Sequence, residues 1–231
     1  MLPIIIGGVA AVTAIGAGLY ARANNKKRST ISLGTFAIWG RPNSGKTTFV
    51  YQLQQKELPK EKRATTEMIR FKDIKPLTYE DKSFKIEEIT DFPGTDDRKR
   101  SWKKLVKEKQ HIFYLINLSK LEDKEYILNV KNDLKLTVEA ISNTGINSIK
   151  PVNIICTHLD KSTFKDINPS EVNNKIQDSS DFKIIFEKLE SLGEELVNSE
   201  GIVGHVYSAN LIDKKSFRNM LKSISYDIYG Q

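Results

Sequence analysis

Gly40-Arg41-Pro42-Asn43-Ser44-Gly45-Lys46-Thr47 fits the spacing G-x-x-x-x-G-K-S/T of a phosphate-binding loop. Backbone N–H groups along such a loop cradle the α- and β-phosphates. The Lys46 ammonium would reach the β- and γ-phosphates, and the Thr47 hydroxyl would bind Mg²⁺. Gly40, Asn43, Ser44, Gly45, Lys46, Thr47 and Thr48 are therefore the expected phosphate contacts. The chemistry points to a nucleoside triphosphate and leaves the base open.

Three further clusters extend the set. Asp91-Phe92-Pro93-Gly94 offers a carboxylate that can hold Mg²⁺ through water and a glycine whose N–H can meet a γ-phosphate. Ala64-Thr65-Thr66 offers a hydroxyl to complete the Mg²⁺ shell, with Thr66 the first choice and Thr65 the alternative. Thr157-His158-Leu159-Asp160 supplies a carboxylate that can accept from the N1–H and N2–H of guanine, a donor pair that adenine lacks. The flat ring of His158 would cover the base. Ser208-Ala209-Asn210 would offer a backbone N–H to the base carbonyl.

These residues need elements to position them. Thr35–Trp39 reads as a buried strand and Thr47–Gln55 as a helix, so the loop sits between strand and helix as its mechanism requires. Met68–Ile74 and Ser83–Thr90 read as a hairpin turning near Glu80-Asp81-Lys82. Asp97–Lys109 looks helical. His111–Leu118 is a strongly apolar strand. Ile127, Val130, Leu134, Val138 and Ile141 recur at helical spacing, which predicts an amphipathic helix over Lys124–Ser142. Val152–Cys156 and Val203–Tyr207 read as strands, Phe182–Val197 and Ser216–Ile228 as helices. The polar stretch Ser162–Asp181 reads as a partner site or merely a long loop. Strands alternating with helices imply a mostly parallel sheet with helices on both faces, plus one antiparallel edge strand from the hairpin.

The ordered set GRPNSGKT, TT, DFPG, THLD and SAN resembles the five-motif signature of the translation-factor-related, Ras-like GTPases. GRPN-x-GK is especially similar to the Era-like and tRNA-modification members, and Thr65-Thr66 resembles their switch-I threonine pair. The resemblance implies a three-layer α/β P-loop NTPase (small GTPase) domain. It also implies GTP and GDP as ligands, Mg²⁺ held by Thr47, Thr66 and Asp91, and attack of water on the γ-phosphate. Two departures stand out. Thr157 and His158 replace the usual Asn and Lys before Asp160. Thr95 follows Gly94 where Ras-like enzymes carry a water-orienting glutamine, so Lys46, Thr66, Gly94 and Thr95 would form a slow catalytic set. Asn43 matches an asparagine that helps bind K⁺ in Era-like relatives, which makes K⁺ a second expected cofactor; otherwise it only shapes the loop.

Composition sets the wider frame. The chain has 231 residues, 39% of them hydrophobic and 28% charged, enough to build a core. One cysteine, Cys156, excludes a disulfide scaffold and fits a reducing compartment. The three histidines show no zinc spacing. Leu2–Ala21 carries no charge, and Arg22, Lys26, Lys27 and Arg28 follow it. That pattern predicts a single transmembrane anchor over residues 1–21, a basic linker over 22–32 and a GTPase domain over 33–231 on the cytoplasmic side. A cleaved signal peptide, suggested by Ala21-Arg22-Ala23, and a buried helix are the competing readings. The layout is similar to the signal recognition particle receptor β subunit. Arg98 to Lys109 is densely basic, within a net charge of +7. It reads as a membrane or effector surface, as a source of an arginine finger in Arg98 or Arg100, or as a solvated helix face. Nucleic acid is a further partner in Era-like relatives, but no RNA-reading module accompanies the charge here.

Overall fold

Thr35-Phe36-Ala37-Ile38-Trp39 forms strand β2, and every residue from Phe36 onward is buried. A strand apolar on both faces belongs in the middle of a parallel sheet covered by helices on each side. The computed structural model of the chain describes residues 29–58, 68–93, 99–142, 150–197 and 202–230. Within them the element order is β1 (Thr30–Ser32), β2 (Thr35–Trp39), α1 (Lys46–Leu53), β3 (Ile69–Phe71), β4 (Leu77–Tyr79), β5 (Lys82–Lys85), β6 (Glu88–Asp91), α2 (Lys99–Glu108), β7 (His111–Asn117), α3 (Lys124–Ser142), β8 (Val152–Thr157), α4 (Val172–Asp178), α5 (Ser180–Val197), β9 (Val203–Ser208) and α6 (Lys214–Tyr229).

The main sheet has six strands in the order β3-β6-β2-β7-β8-β9. All pairings are parallel except β3 with β6, the expected antiparallel edge. Alternate residues of the central strands face opposite layers. Phe36 and Ile38 pack with Phe49, Val50 and Leu53 of α1 and Phe217, Leu221 and Ile224 of α6. Ala37 and Trp39 face the other way, onto Trp102 and Val106 of α2, Val130 and Leu134 of α3, and Phe182 of α5. This is the three-layer α/β architecture that the alternation of elements predicts.

The hairpin exists with altered boundaries. Its first arm breaks into β3 and β4 and its second into β5 and β6, with the turn at Glu80 and Asp81 and Lys82 already in strand. Pro76 cannot donate to a ladder, and the Ile74 N–H turns back onto the Lys72 carbonyl, so the arm kinks between Phe71 and Leu77. Thr30–Ser32, at the end of the stretch read as linker, is a strand that pairs in parallel with β5. Bonds from Leu33 N to Lys85 O (2.8 Å) and from Glu87 N to Gly34 O (2.9 Å) run that ladder into the β2–β6 pair.

Ser162–Asp181 is not a bare loop. It contains α4, whose Val172 and Ile176 lie one turn apart and are buried in the cluster beside Phe182. Two apolar residues in a polar run give too short a period to read. The C-terminal end of α2 is fastened twice. Buried Lys109 pairs with buried Glu88 of β6, and this hydrogen bond holds the Glu88 carboxyl below the usual carboxylate range. Lys150 Nζ donates to the carbonyls of Lys107 (3.0 Å) and Lys109 (2.8 Å), capping the helix end with a cation as its dipole favours.

Among the described residues no helix is long and apolar enough to cross a membrane. The expected anchor Leu2–Ala21 and the basic residues through Arg28 lie outside them. Phe36 has no exposed surface and stacks tilted on Phe113 at 4.8 Å. Phe36→Ala leaves a cavity under α1 and should cost about 3–5 kcal/mol, read from urea unfolding midpoints.

Candidate functional site

The loop from Gly40 to Gly45 connects the end of β2 to the start of α1. Two glycines make this turn possible. Gly40 has φ 152°, and a Cβ there would meet the Leu115 carbonyl oxygen at 2.5 Å. Gly45, at φ 91°, is the N-cap of α1 and brings no side chain to its orphan amides. A helix N-terminus at the end of such a loop favours an anion.

Lys46 opens α1 and folds back over the loop. Its Nζ donates to the carbonyls of Gly40 (2.7 Å) and Arg41 (3.1 Å). Burial lowers its pKa to about 8, while the carboxylates of Asp91 and Asp133 oppose that shift and Arg41 adds to it. The register Ile38↔Asp91 sets Asp91 beside the strand that carries the loop, and the Phe92 N–H donates to the Ile38 carbonyl. Buried Asp91 and the half-buried Thr47 give a carboxylate and a hydroxyl near the loop. Hard oxygen donors of this kind suit Mg²⁺, which takes most of its remaining ligands from phosphate and water. No cluster of three acidic, His or Cys residues among the described residues would hold a metal without that phosphate.

Asn43 adopts the left-handed conformation (φ 63°), and its side chain is exposed. Its carbonyl accepts from Asn117 Nδ2 at 3.1 Å. Asn117 closes β7 and also accepts from Ser119, while its own N–H donates to the buried Tyr126 hydroxyl (2.7 Å). Ser44 is fully buried beneath the loop, its hydroxyl within 2.7 Å of where a Gly40 Cβ would stand. It leaves no room for a side chain at Gly40.

The segment that begins at Thr157 meets this loop directly. The Thr157 hydroxyl is buried, 2.9 Å from the Ser44 carbonyl and 3.2 Å from that of Ile116, and shares one proton between them. Thr157 is thus a tie between the two segments. His158 follows in the left-handed conformation (φ 56°), half-buried, with Nδ1 2.9 Å from the Thr157 hydroxyl. Asp160 lies in the short 3₁₀ turn Leu159–Lys161 with its carboxylate exposed.

Ser208-Ala209-Asn210 lies where β9 ends. The Ala209 N–H donates to the Cys156 carbonyl (3.0 Å), and the Asn210 N–H donates to the Ser216 hydroxyl (3.0 Å). Ser208 Oγ bonds Asn173 of α4 at 2.6 Å. Both amides are engaged within the chain. Thr65, Thr66, Gly94, Thr95 and Arg98 lie outside the described residues.

One group escaped the motif reading. Asp133 of α3 is buried, accepts from the Tyr114 hydroxyl at 2.8 Å and stands 3.4 Å from the Arg41 guanidinium. The available signal was a lone carboxylate within the buried helix stripe of Tyr126, Val130, Thr137 and Ala140. Burial, with the Asp133 charge, keeps the Tyr114 phenol well above its ordinary pKa, so it stays protonated and donates to Asp133.

The lowered pKa of Lys46 sets a pH dependence. Bound phosphate favours the ammonium, so the complex retains a proton that the free site loses above pH about 8. Nucleotide affinity should be flat below that pH and fall above it, approaching roughly tenfold per pH unit. Titrating labelled nucleotide between about pH 7 and 9.5 checks this; a level profile would refute it.

Comparison with known proteins agrees with this geometry. No curated protein matches the chain. The small GTPase Arl6 (BBS3) of Trypanosoma brucei, solved with the bound analogue GppNp, superposes with a TM-score of 0.56 at 14% identity, over 88% of this chain and 99% of that one. That similarity shows a shared fold. The family described as 50S ribosome-binding GTPase matches residues 35–158, from the start of β2 through the phosphate loop to His158. This match covers more than half of the sequence, and the chain belongs to that GTPase family.

Proposed function

We propose that the chain is a membrane-anchored switch that binds guanine nucleotide and slowly hydrolyses GTP to GDP and phosphate. The observation that carries the binding reading is the bond from Thr157 to the Ser44 carbonyl, which fixes the Asp160 segment to the phosphate loop. Lys46 and the loop amides neutralise phosphate charge, Thr47 binds Mg²⁺, and Asp91 supports the ion through water. Thr66 and Gly94 sense the γ-phosphate. Asp160 selects guanine by accepting its two N–H donors. Leu2–Ala21 anchors the protein with the GTPase domain facing the cytoplasm, and the basic stretch after Gly94 meets an effector or the membrane surface.

A second reading is favoured by Thr95, which cannot orient water as glutamine does. On it the protein is a GTP-loaded recruitment module with little intrinsic turnover. Asn43, exposed on the loop beside the phosphate cradle, supports a K⁺ contribution to hydrolysis on the Era-like pattern. The anchor-then-GTPase layout supports a role like that of the signal recognition particle receptor β subunit.

Base competition tests the first step. GTP and GDP should displace labelled GDP far better than ATP does, and Asp160→Ala should weaken GDP roughly 100-fold or more, the loss of two charge-assisted hydrogen bonds. Equal displacement by ATP sinks the guanine reading. Single-turnover hydrolysis in KCl and in NaCl, with and without membranes, then separates a cycling enzyme from a recruitment module.

A further inference from the structure

Arg41 occupies the second position of the phosphate loop, yet its guanidinium is directed at the buried carboxylate of Asp133 in α3. Asp133 is satisfied on both oxygens, by Arg41 and by Tyr114. Its backbone carbonyl accepts from the Thr137 hydroxyl at 2.9 Å, one helical turn on. That hydroxyl in turn accepts from the Trp102 indole N–H of α2 at 3.1 Å. Trp102 is fully buried and packs against Trp39, ring centroids 4.4 Å apart. Trp39 directly precedes Gly40. The contacts therefore close a ring: loop, Asp133, Thr137, Trp102, Trp39 and back to the loop.

We propose that Asp133 is a positioning residue through which the phosphate loop and helix α2 are coupled. Arg41 and Asp133 together fix the Gly40 and Arg41 carbonyls that hold Lys46. A buried carboxylate deprived of its cation must find another partner or move. Loss of Arg41 therefore shifts the turn Asp133–Thr137 and with it the bond to Trp102. In the other direction, a polyphosphate at the loop competes with Asp133 for the Arg41 charge, so occupancy is felt at α2. The coupling rests on the nucleotide-binding reading above for its purpose but not for its existence.

The chain contains two tryptophans, so the full-length protein labelled at tryptophan gives two indole N–H resonances, and Trp102→Phe assigns them. In nucleotide-free protein, Arg41→Ala and Asp133→Asn should each move the Trp102 signal. Arg41→Lys, which keeps the charge, should leave it near its native position. Lys135→Ala, on the exposed side of α3, should move neither signal. With labelled GDP, Arg41→Ala and Asp133→Asn should each weaken binding about tenfold, and the double variant should be no weaker than the worse single one. Should Asp133→Asn fail to fold, the Arg41→Ala and Arg41→Lys pair still decides the question. A Trp102 resonance unmoved by Arg41→Ala overturns the proposal, as do additive affinity losses. If the native chain takes up no guanine nucleotide, the functional reading falls, while the indole spectra still decide the coupling.

Discussion

The structure around the site is organised by one requirement: an ammonium group, that of Lys46, must be kept largely away from water without losing its usefulness as a cation. Burial alone would discharge it at a modest pH. The fold opposes that discharge with two loop carbonyls, the carboxylate that ends β6, and the carboxylate of Asp133 behind the loop. Each depends on a different piece of architecture. The carbonyls need glycine at Gly40, where a side chain would strike β7. Asp91 needs β6 to lie parallel and in register beside β2. Asp133 needs α3 to be packed across the far face of the sheet.

The same requirement bears on where β7 and β8 end. β7 and β8 run parallel to β2 and finish at the same edge, so Asn117 and Thr157 arrive beside the loop from successive strands. Each uses a short polar side chain to hold a loop carbonyl, of Asn43 and of Ser44 respectively. The loop is therefore braced from two strand ends in addition to its own turn. A threonine suffices for the second brace because only one donor is needed there.

Much of this was legible in the sequence. The phosphate loop carries its own spacing, the central strands are apolar throughout, and the helix Lys124–Ser142 shows a full buried stripe, so type and place could be read with little error. The hairpin was legible in outline only, since Pro76 and the turned-back Ile74 N–H divide it for local reasons that hydropathy does not express. Thr157 was found by position, but its tie to the loop was not legible, because the carbonyl it holds lies 113 residues earlier in the chain. The amides of Ala209 and Asn210 look available in a motif and are engaged in the fold, one by a neighbouring strand and one by Ser216 of α6. Asp133 stood in plain sight as a charge inside an apolar stripe, but its partners come from a strand and a loop that only tertiary structure brings together. The family match itself stops at His158, short of Asp160, so the guanine contact proposed for Asp160 rests on the motif Thr157-His158-Leu159-Asp160.

The double fastening at the end of α2 has a mechanical consequence. With Lys109 held by Glu88 and the last carbonyls held by Lys150, the helix is fixed at its C-terminal end, and a tilt of it would pivot there. Ten residues give an arm of about 15 Å at 1.5 Å per residue. A tilt of about 10° at the fulcrum then displaces the first turn by roughly 2.6 Å over that arm. A displacement of that size would have to break the bond from Trp102 to Thr137 and its packing on Trp39, so the helix is held near both ends.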